Sequence, residues 1–287
     1  MSEHISVLLK EAVQMLSPKD GGTYYDGTFG GGGYAKAILD AANCRVIASD
    51  RDPYVKTIAR QFKNNYQKRF DFFCAKFSDI KSIATEKLDG VALDLGVSNF
   101  QLADPSRGFS FNLAGPIDMG MGLCDETALD VIRKYSEKSL ANIIYEFGEE
   151  RFSRRIAKNI KLNLGRIHNT EDLANVIRSC ARRTGKKDPA TKTFQALRIL
   201  VNDELEELKK ALRDSIDLLK PNGKIIVVSF HSLEDRIVKL FFKNLASPKN
   251  PIKFKLLTKK PIVPSRDEIL FNPKSRSAKL RGISLLG

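Results

Sequence analysis

Tyr24-Tyr25-Asp26-Gly27-Thr28-Phe29-Gly30-Gly31-Gly32-Gly33 is the stretch from which the rest of this chain is read. Thr23–Asp26 reads as a short strand entering a turn, and the amphipathic run after Gly33 reads as the start of a helix. Four consecutive glycines leave no Cβ to hold a ligand off the backbone. The helix that follows points unpaired N–H groups at whatever sits there. A second apolar run, Cys44–Ser49, ends on Asp50, 20 residues past Gly30. A glycine turn with an acid at that distance suits a nucleotide-type cofactor, the acid accepting hydrogen bonds from ribose hydroxyls. The plainer alternative is a glycine loop that merely turns the chain. Strand, glycines, helix and acid in that order weigh against it.

Which cofactor is a separate question. Gly30–Ala35 fits G-x-G-x-x-A, so a dinucleotide, and with it an NAD-dependent oxidoreductase, is one option. Asp26 argues against it. A carboxylate just before the turn repels a pyrophosphate but suits the cationic sulfonium and ammonium end of S-adenosylmethionine. Asp50 serves a ribose in either case. The methyl donor is favoured.

At 287 residues the chain can bury an α/β core and carry one smaller domain. No apolar run approaches the ~20 residues of a membrane span. Met1–Leu16 carries Glu3, Lys10 and Glu11, which does not read as a signal peptide. Cys44, Cys74, Cys124 and Cys180 are far apart and form no C-x-x-C pair, which points to a reducing cytoplasm. With His4, His168 and His231 the only histidines, no metal site is expected. The formal charge is +14 and uneven: from Lys243 onward, 11 lysines and arginines face only Asp267 and Glu268. Arg151–Arg166 and Arg178–Lys192 are also basic. Such an excess suits a polyanionic partner bound in a salt-sensitive way, or else a solvated face.

Thr23–Asp26, Arg45–Asp50, Asp71–Ala75, Gly90–Asp94 and Lys224–Ser229 are strand candidates, and Ala35–Ala41, Pro53–Tyr66 and Ser78–Lys87 helix candidates between the first four. That alternation predicts a doubly wound, largely parallel α/β sheet with ligands beyond the carboxyl ends of its strands. Asp26, Asp50, Phe77, Asp94 and Ser98 would share that edge. The pattern then turns helical, over Leu129–Tyr145, Arg151–Leu164, Thr170–Ala181 and Thr193–Leu219. Leu205, Leu208, Leu212, Ile216 and Leu219 form one stripe of the last of these, and Pro221-Asn222-Gly223 turns the chain back into a strand. We therefore expect a sheet domain from residues 1–105 and 203–287, and an inserted helical domain over 106–202. The proline-punctuated stretch beyond Ser247 reads as extended strands and loops.

Asp94-Leu95-Gly96-Val97-Ser98-Asn99 follows the fourth strand, facing the acceptor of a transferred group. An exocyclic amine of a base needs an acceptor on its N–H more than it needs a strong base, and Asp94 and Asn99 offer acceptors. Asp94 can equally anchor only the loop or the cofactor. Phe100, Phe109 and Phe111 can stack a splayed base or be core. His231, after the fifth strand, can orient a base or be structural, and Ser232 with Asp235 resembles an N-cap pair. No G-x-S-x-G elbow supports a hydrolase. Asn272–Arg281 interleaves cations with small hydroxyl residues, as phosphate-binding loops do.

Nine blocks in order resemble one family, the bacterial 16S rRNA (cytosine-N4)-methyltransferase RsmH, or MraW, family. They are HISVLLKE (His4–Glu11), DGTFGGGG (Asp26–Gly33), DGVALDLGVS (Asp89–Ser98), RGFSF (Arg107–Phe111), GPIDM (Gly115–Met119), GEERFSRRIAK (Gly148–Lys158), PATKTFQALRILV (Pro189–Val201), SFHSLEDRIV (Ser229–Val238) and Asn272–Arg281. The resemblance implies a Rossmann-like class I methyltransferase sheet with an inserted helical domain. It also implies S-adenosyl-L-methionine-dependent methylation of a cytidine N4 in the decoding (P-site) region of 16S rRNA in the small ribosomal subunit. Carried over by motif, cofactor contacts fall on Gly32, Gly33, Tyr34, Asp50, Phe77, Asp94 and Gln101, beside the Asp26 read above. Tyr34 stands where the family usually has histidine, and Asn99-Phe100 where it has Ser-Pro. A non-catalytic rRNA-binding assembly factor would share the fold. Monomer and homodimer both fit the sequence.

Overall fold

The short central strands are buried on both faces, and their side chains alternate between two clusters. In Tyr24-Tyr25 and Val46-Ile47 the first side chain joins one buried cluster and the second joins another, as period-2 strand geometry dictates. The computed structural model describes residues 6–181 and 188–287. His4 and Ile5 of the first motif, and the middle of the basic stretch Arg178–Lys192, lie outside the described residues. Contacts divide the chain into two units, Met1–Gly96 with Leu205–Gly287, and Val97–Glu204.

The first unit opens with α1 (Leu9–Leu16), β1 (Thr23–Asp26), α2 (Gly33–Ala41), β2 (Arg45–Asp50), α3 (Lys56–Tyr66), β3 (Phe70–Cys74), α4 (Ile80–Ile83) and β4 (Leu88–Asp94). The second unit holds α5 (Asn99–Ala103), α6 (Ala128–Lys134), α7 (Glu137–Gly148), α8 (Ser153–Leu162), α9 (Thr170–Cys180) and α10 (Ala190–Asn202). After α11 (Glu204–Leu218) come β5 (Leu219–Ser229), α12 (Ser232–Leu245), β6 (Phe254–Leu256), α13 (Arg266–Phe271) and β7 (Lys279–Leu285).

The sheet has seven strands in the order β3-β2-β1-β4-β5-β7-β6. β1 to β5 run parallel, while β7 is antiparallel to both of its neighbours. This is the Rossmann-like, doubly wound and largely parallel sheet that the sequence pattern predicts. The winding reverses between β1 and β4, so the crevice for a ligand opens at the carboxyl ends of those strands. Residues of α1, α2 and α3 pack on one face, and residues of α4, α11 and α12 on the other. The second unit has its own core, built on Ile132, Leu140, Ile144, Ile156, Ile160, Leu173, Ile177 and Leu197.

Several boundaries differ from the sequence reading. The helix expected over Thr193–Leu219 breaks into α10 and α11, because Asp203 takes a left-handed conformation with φ 52°. Leu129–Tyr145 likewise splits, since Ser136 Oγ accepts the Ser139 N–H (3.1 Å) and caps a new helix, α7. Ser78–Lys87 keeps only the short α4. Pro221-Asn222-Gly223 does not precede β5 but bulges within it, with Leu219 opposite Leu88 and Lys224 opposite Gly90. The second unit starts at Val97 rather than residue 106 and ends at Glu204 rather than 202. Val97 and Leu102 pack on its core, and Glu204 accepts from Arg198 Nε at 2.7 Å.

The C-terminal stretch carries α13 as well as strands, and its last strand is interior to the sheet rather than a loose tail. Two of its cations are committed to the fold. Arg281 Nε donates to Asp235 Oδ1 at 2.6 Å and Lys279 Nζ to Asp235 Oδ2 at 2.9 Å. Burial pushes the Asp235 carboxyl up, but these bonds outweigh it and hold it below the usual carboxylate range. Asp235→Ala leaves the buried Arg281 without its counter-ion, so the variant should lose about 3–5 kcal/mol of stability. Urea denaturation of the two proteins measures the difference.

Candidate active site

The glycine turn is shaped by two left-handed residues, Gly30 (φ 48°) and Gly32 (φ 80°). It sends the chain from β1 into α2, whose N-terminus has no side-chain cap and no acid in its first turn. At two of the four glycines the missing Cβ makes room for protein rather than ligand. A Cβ on Gly32 would lie 2.4 Å from Phe62 Cζ, and one on Gly33 would lie 2.0 Å from Ser6 Oγ. The glycines therefore let the N-terminal segment and α3 close on the turn, a role the sequence did not disclose.

Three carboxylates end three neighbouring strands: Asp26 on β1, Asp50 on β2 and Asp94 on β4. Asp26 is completely buried. Its Oδ1 accepts the Thr28 N–H (3.1 Å), while among the described residues its buried Oδ2 has no hydrogen-bond partner. Burial pushes this carboxyl up to about 7; the Thr28 amide and, more weakly, the Ala35 amide oppose the rise, and the Asp50 charge adds to it. Asp50 Oδ2 accepts from Gly30 N (2.7 Å) and Oδ1 from Asp52 N (2.9 Å), so the acid clamps the glycine turn onto β2. Burial raises it to about 6 against those two hydrogen bonds. Asp94 has its backbone N–H tied to Thr28 Oγ1 (2.7 Å), and among the described residues its buried Oδ1 has no partner. Burial first, and then the charges of Asp26, Glu234 and Glu268, hold its carboxyl well above the usual range.

Tyr34 is buried in α2 and donates its hydroxyl to the Val7 carbonyl at 2.6 Å. Leu8, next along, is left-handed (φ 51°) and donates its N–H to Glu268 Oε1 at 2.8 Å. The N-terminal segment is thus pinned from both sides beside the turn. Burial, then Asp94 and Asp26, push the Tyr34 phenol up, so it stays a hydroxyl. Thr28, Ser6 and Glu268 matter here and were not singled out in the sequence. Thr28 sat inside the quoted motif, whereas nothing local marks Ser6 or Glu268.

The other sequence candidates divide between the units. Phe77 opens a 3-10 turn after β3, and its carbonyl accepts from the Tyr25 hydroxyl at 3.3 Å. His231, not Ser232, caps α12: Glu234 N–H approaches its Nδ1 at 3.5 Å, and Glu234 Oε2 accepts the His231 N–H at 3.2 Å. The histidine therefore has a structural task. Asn99 and Gln101 lie in α5 of the second unit, where Gln101 Oε1 accepts the Ser98 N–H at 2.9 Å in a capping box. The phosphate-loop reading of Asn272–Arg281 is partly overturned, because Lys279 and Arg281 are taken by Asp235 and Ser275 is buried.

Chemically, the sheet edge offers two buried, unpartnered carboxylate oxygens and a third acid fixed by amides. Such a donor set fits a ligand bearing positive charge and hydroxyl or amine hydrogens, and it opposes a pyrophosphate. No helix among the described residues is long and apolar enough to cross a membrane.

A family model described as the MraW methylase family matches residues 1–285. A protein of Ehrlichia canis named ribosomal RNA small subunit methyltransferase H is 50% identical over 294 residues, covering 98% of this chain and 99% of its own. A protein of the same name from Neorickettsia sennetsu is 50% identical over 285 residues, covering 98% and 95%. Among solved structures, an rRNA methylase from Streptococcus thermophilus aligns with a TM-score of 0.47 at 8% identity, covering 99% of each chain.

A carboxyl held at about 7 in the folded chain and near 3.8 when unfolded opposes folding once it must ionise. The Asp26 contribution to stability should therefore be lost as pH rises from about 4 to 7. Asp26→Asn removes that cost: it should match the parent near pH 4 and exceed it by up to ~4 kcal/mol at pH 8. Urea midpoints across that pH range measure it.

Proposed function

The chain belongs to the MraW methylase family, and on that premise we propose that it methylates the N4 amine of a cytidine in the decoding, P-site region of small-subunit ribosomal RNA, in the cytoplasm. Its methyl donor is S-adenosyl-L-methionine, which supplies an electrophilic methyl on a positively charged sulfur. Family membership sets aside the nicotinamide oxidoreductase and the non-catalytic assembly factor.

The unpartnered oxygens of Asp26 and Asp94 at one sheet edge carry the assignment of the site. Asp26 faces the cationic end of the donor, and Asp50 takes the ribose hydroxyls while keeping its two amides. Gly32, Gly33 and Tyr34 supply the backbone of the turn and the start of α2, and Phe77 lines the side beneath β3. Asp94 accepts a hydrogen bond from the cytosine amine and aims the nitrogen at the methyl group. The amine lone pair is spread into the ring, so positioning contributes more than base strength. In its ionised form Asp94 is a carboxylate whose proton affinity burial raises, so it also takes up the proton that the nitrogen loses as the new N–C bond forms and the methyl leaves sulfur. His231 holds the first turn of α12 behind this edge. The +14 charge draws the RNA.

Two outcomes are expected. Labelled methyl donor and under-methylated small subunits should yield label as N4-methylcytidine in the decoding region; label in any other nucleoside overturns the assignment. Donor affinity, measured by calorimetry, should rise from pH 5 to about 7 as Asp26 ionises and then level off. Asp26→Asn should bind more weakly and flatten that profile.

A further inference from the structure

The segment that leads into β7 exposes more apolar surface than its surroundings require. After the bridge at Ile262, the chain makes α13 and a 3-10 turn, Pro273–Ser277, before β7 begins. Lys279 pairs with Ser229, the last residue of β5, so this segment sits at the carboxyl edge of the sheet, where Asp26, Asp50 and Asp94 also end. Glu268 ties its inner side to Leu8 at 2.8 Å, and the charge of Glu268 is among those that raise Asp94. Its outer side is different. Leu270 is 72% and Phe271 75% exposed. Arg266 and Asp267 at the start of α13, and Lys274 and Arg276 in the turn after it, are exposed as well, so cations outnumber the one exposed acid there.

An exposed aromatic ring between cations is how single-stranded nucleic acid is commonly held. The ring stacks a base whatever its identity, and the cations take the adjoining phosphates. Two apolar side chains on a six-residue helix are too small a face for a lipid surface. The nearby cations repel the same patch on a second copy of the chain. We propose that Phe271, backed by Leu270 and flanked by Arg266 and Arg276, docks a single-stranded segment of the substrate RNA by stacking a base other than the one methylated. This rests on the RNA assignment above and adds to it a residue that holds substrate outside the reacting centre.

Fluorescence anisotropy with a labelled single-stranded fragment of small-subunit RNA tests the contact without methyl transfer. Phe271→Ala should weaken binding about 10-fold, and Phe271→Trp should restore it. The KM for RNA should rise while kcat and donor affinity stay at parental values, with Tm unchanged because the ring is exposed. Arg276→Ala should reduce the slope of log affinity against log salt by about 0.7. Equal RNA affinity in parent and Phe271→Ala overturns the proposal, as does unchanged RNA affinity with loss of a dimer in sedimentation. If the parent binds RNA through Phe271 yet methylates none of it, the docking point stands and the reaction assigned above fails.

Discussion

Desolvated acids in the sheet and in the helix that packs on it are treated in two ways, and the difference organises the rest. Asp89 is met by Lys19 at 2.8 Å and Lys220 at 2.7 Å, and Asp235 by Lys279 and Arg281. Each of these carboxyls is held below its ordinary range, as folding stability alone would select. Asp26 and Asp94 are also desolvated, yet among the described residues no ion pair involves either of them and each keeps a buried oxygen unpartnered. An uncompensated buried charge costs several kcal/mol, so the same chain that pairs its acids elsewhere leaves these poised for a charge from outside. The stability given up at the strand ends is what the proposed binding of a cationic donor there would recover.

The glycine turn keeps that arrangement rigid. Thr28 sits at its centre, giving its N–H to Asp26 and accepting the Asp94 N–H on its hydroxyl, while Gly30 N–H reaches Asp50. Three strands are thus cross-tied by one loop, and their acids cannot swing apart to lower their repulsion. The N-terminal segment completes the rigidity, wedged by Ser6 against Gly33 and held by Tyr34 and Glu268. Acids fixed before a ligand arrives need no reorganisation when it binds, which is what electrostatic positioning requires.

The sheet was legible because short strand candidates alternate with helix candidates over its first half, and β1 and β2 fall where the sequence places them. The edge bearing Asp26, Asp50 and Asp94 followed, since parallel strands must end together. What escaped depended on single backbone states or distant partners. The left-handed Asp203 looks like any exposed acid in a helical stripe, so α10 and α11 read as one helix. Pro221-Asn222-Gly223 has turn chemistry, and a bulge inside a strand uses the same chemistry. His231 looked available until Glu234, three residues on, was seen to engage it as a cap. Glu268 meets Leu8 across 260 residues, and no local pattern reports such a pair.

Charge separation gives the molecule two binding regimes. The acids at the strand ends are desolvated, so their pull on a cation is strong at short range and little screened by salt. The surplus of basic residues is largely exposed, and its pull on phosphates works through the solvent and collapses as ionic strength rises. A methyl donor carrying positive charge and an RNA carrying many negative ones can therefore be held by one chain without competing for the same groups. The acids would repel the RNA if they were exposed. Burial hides their charge from it.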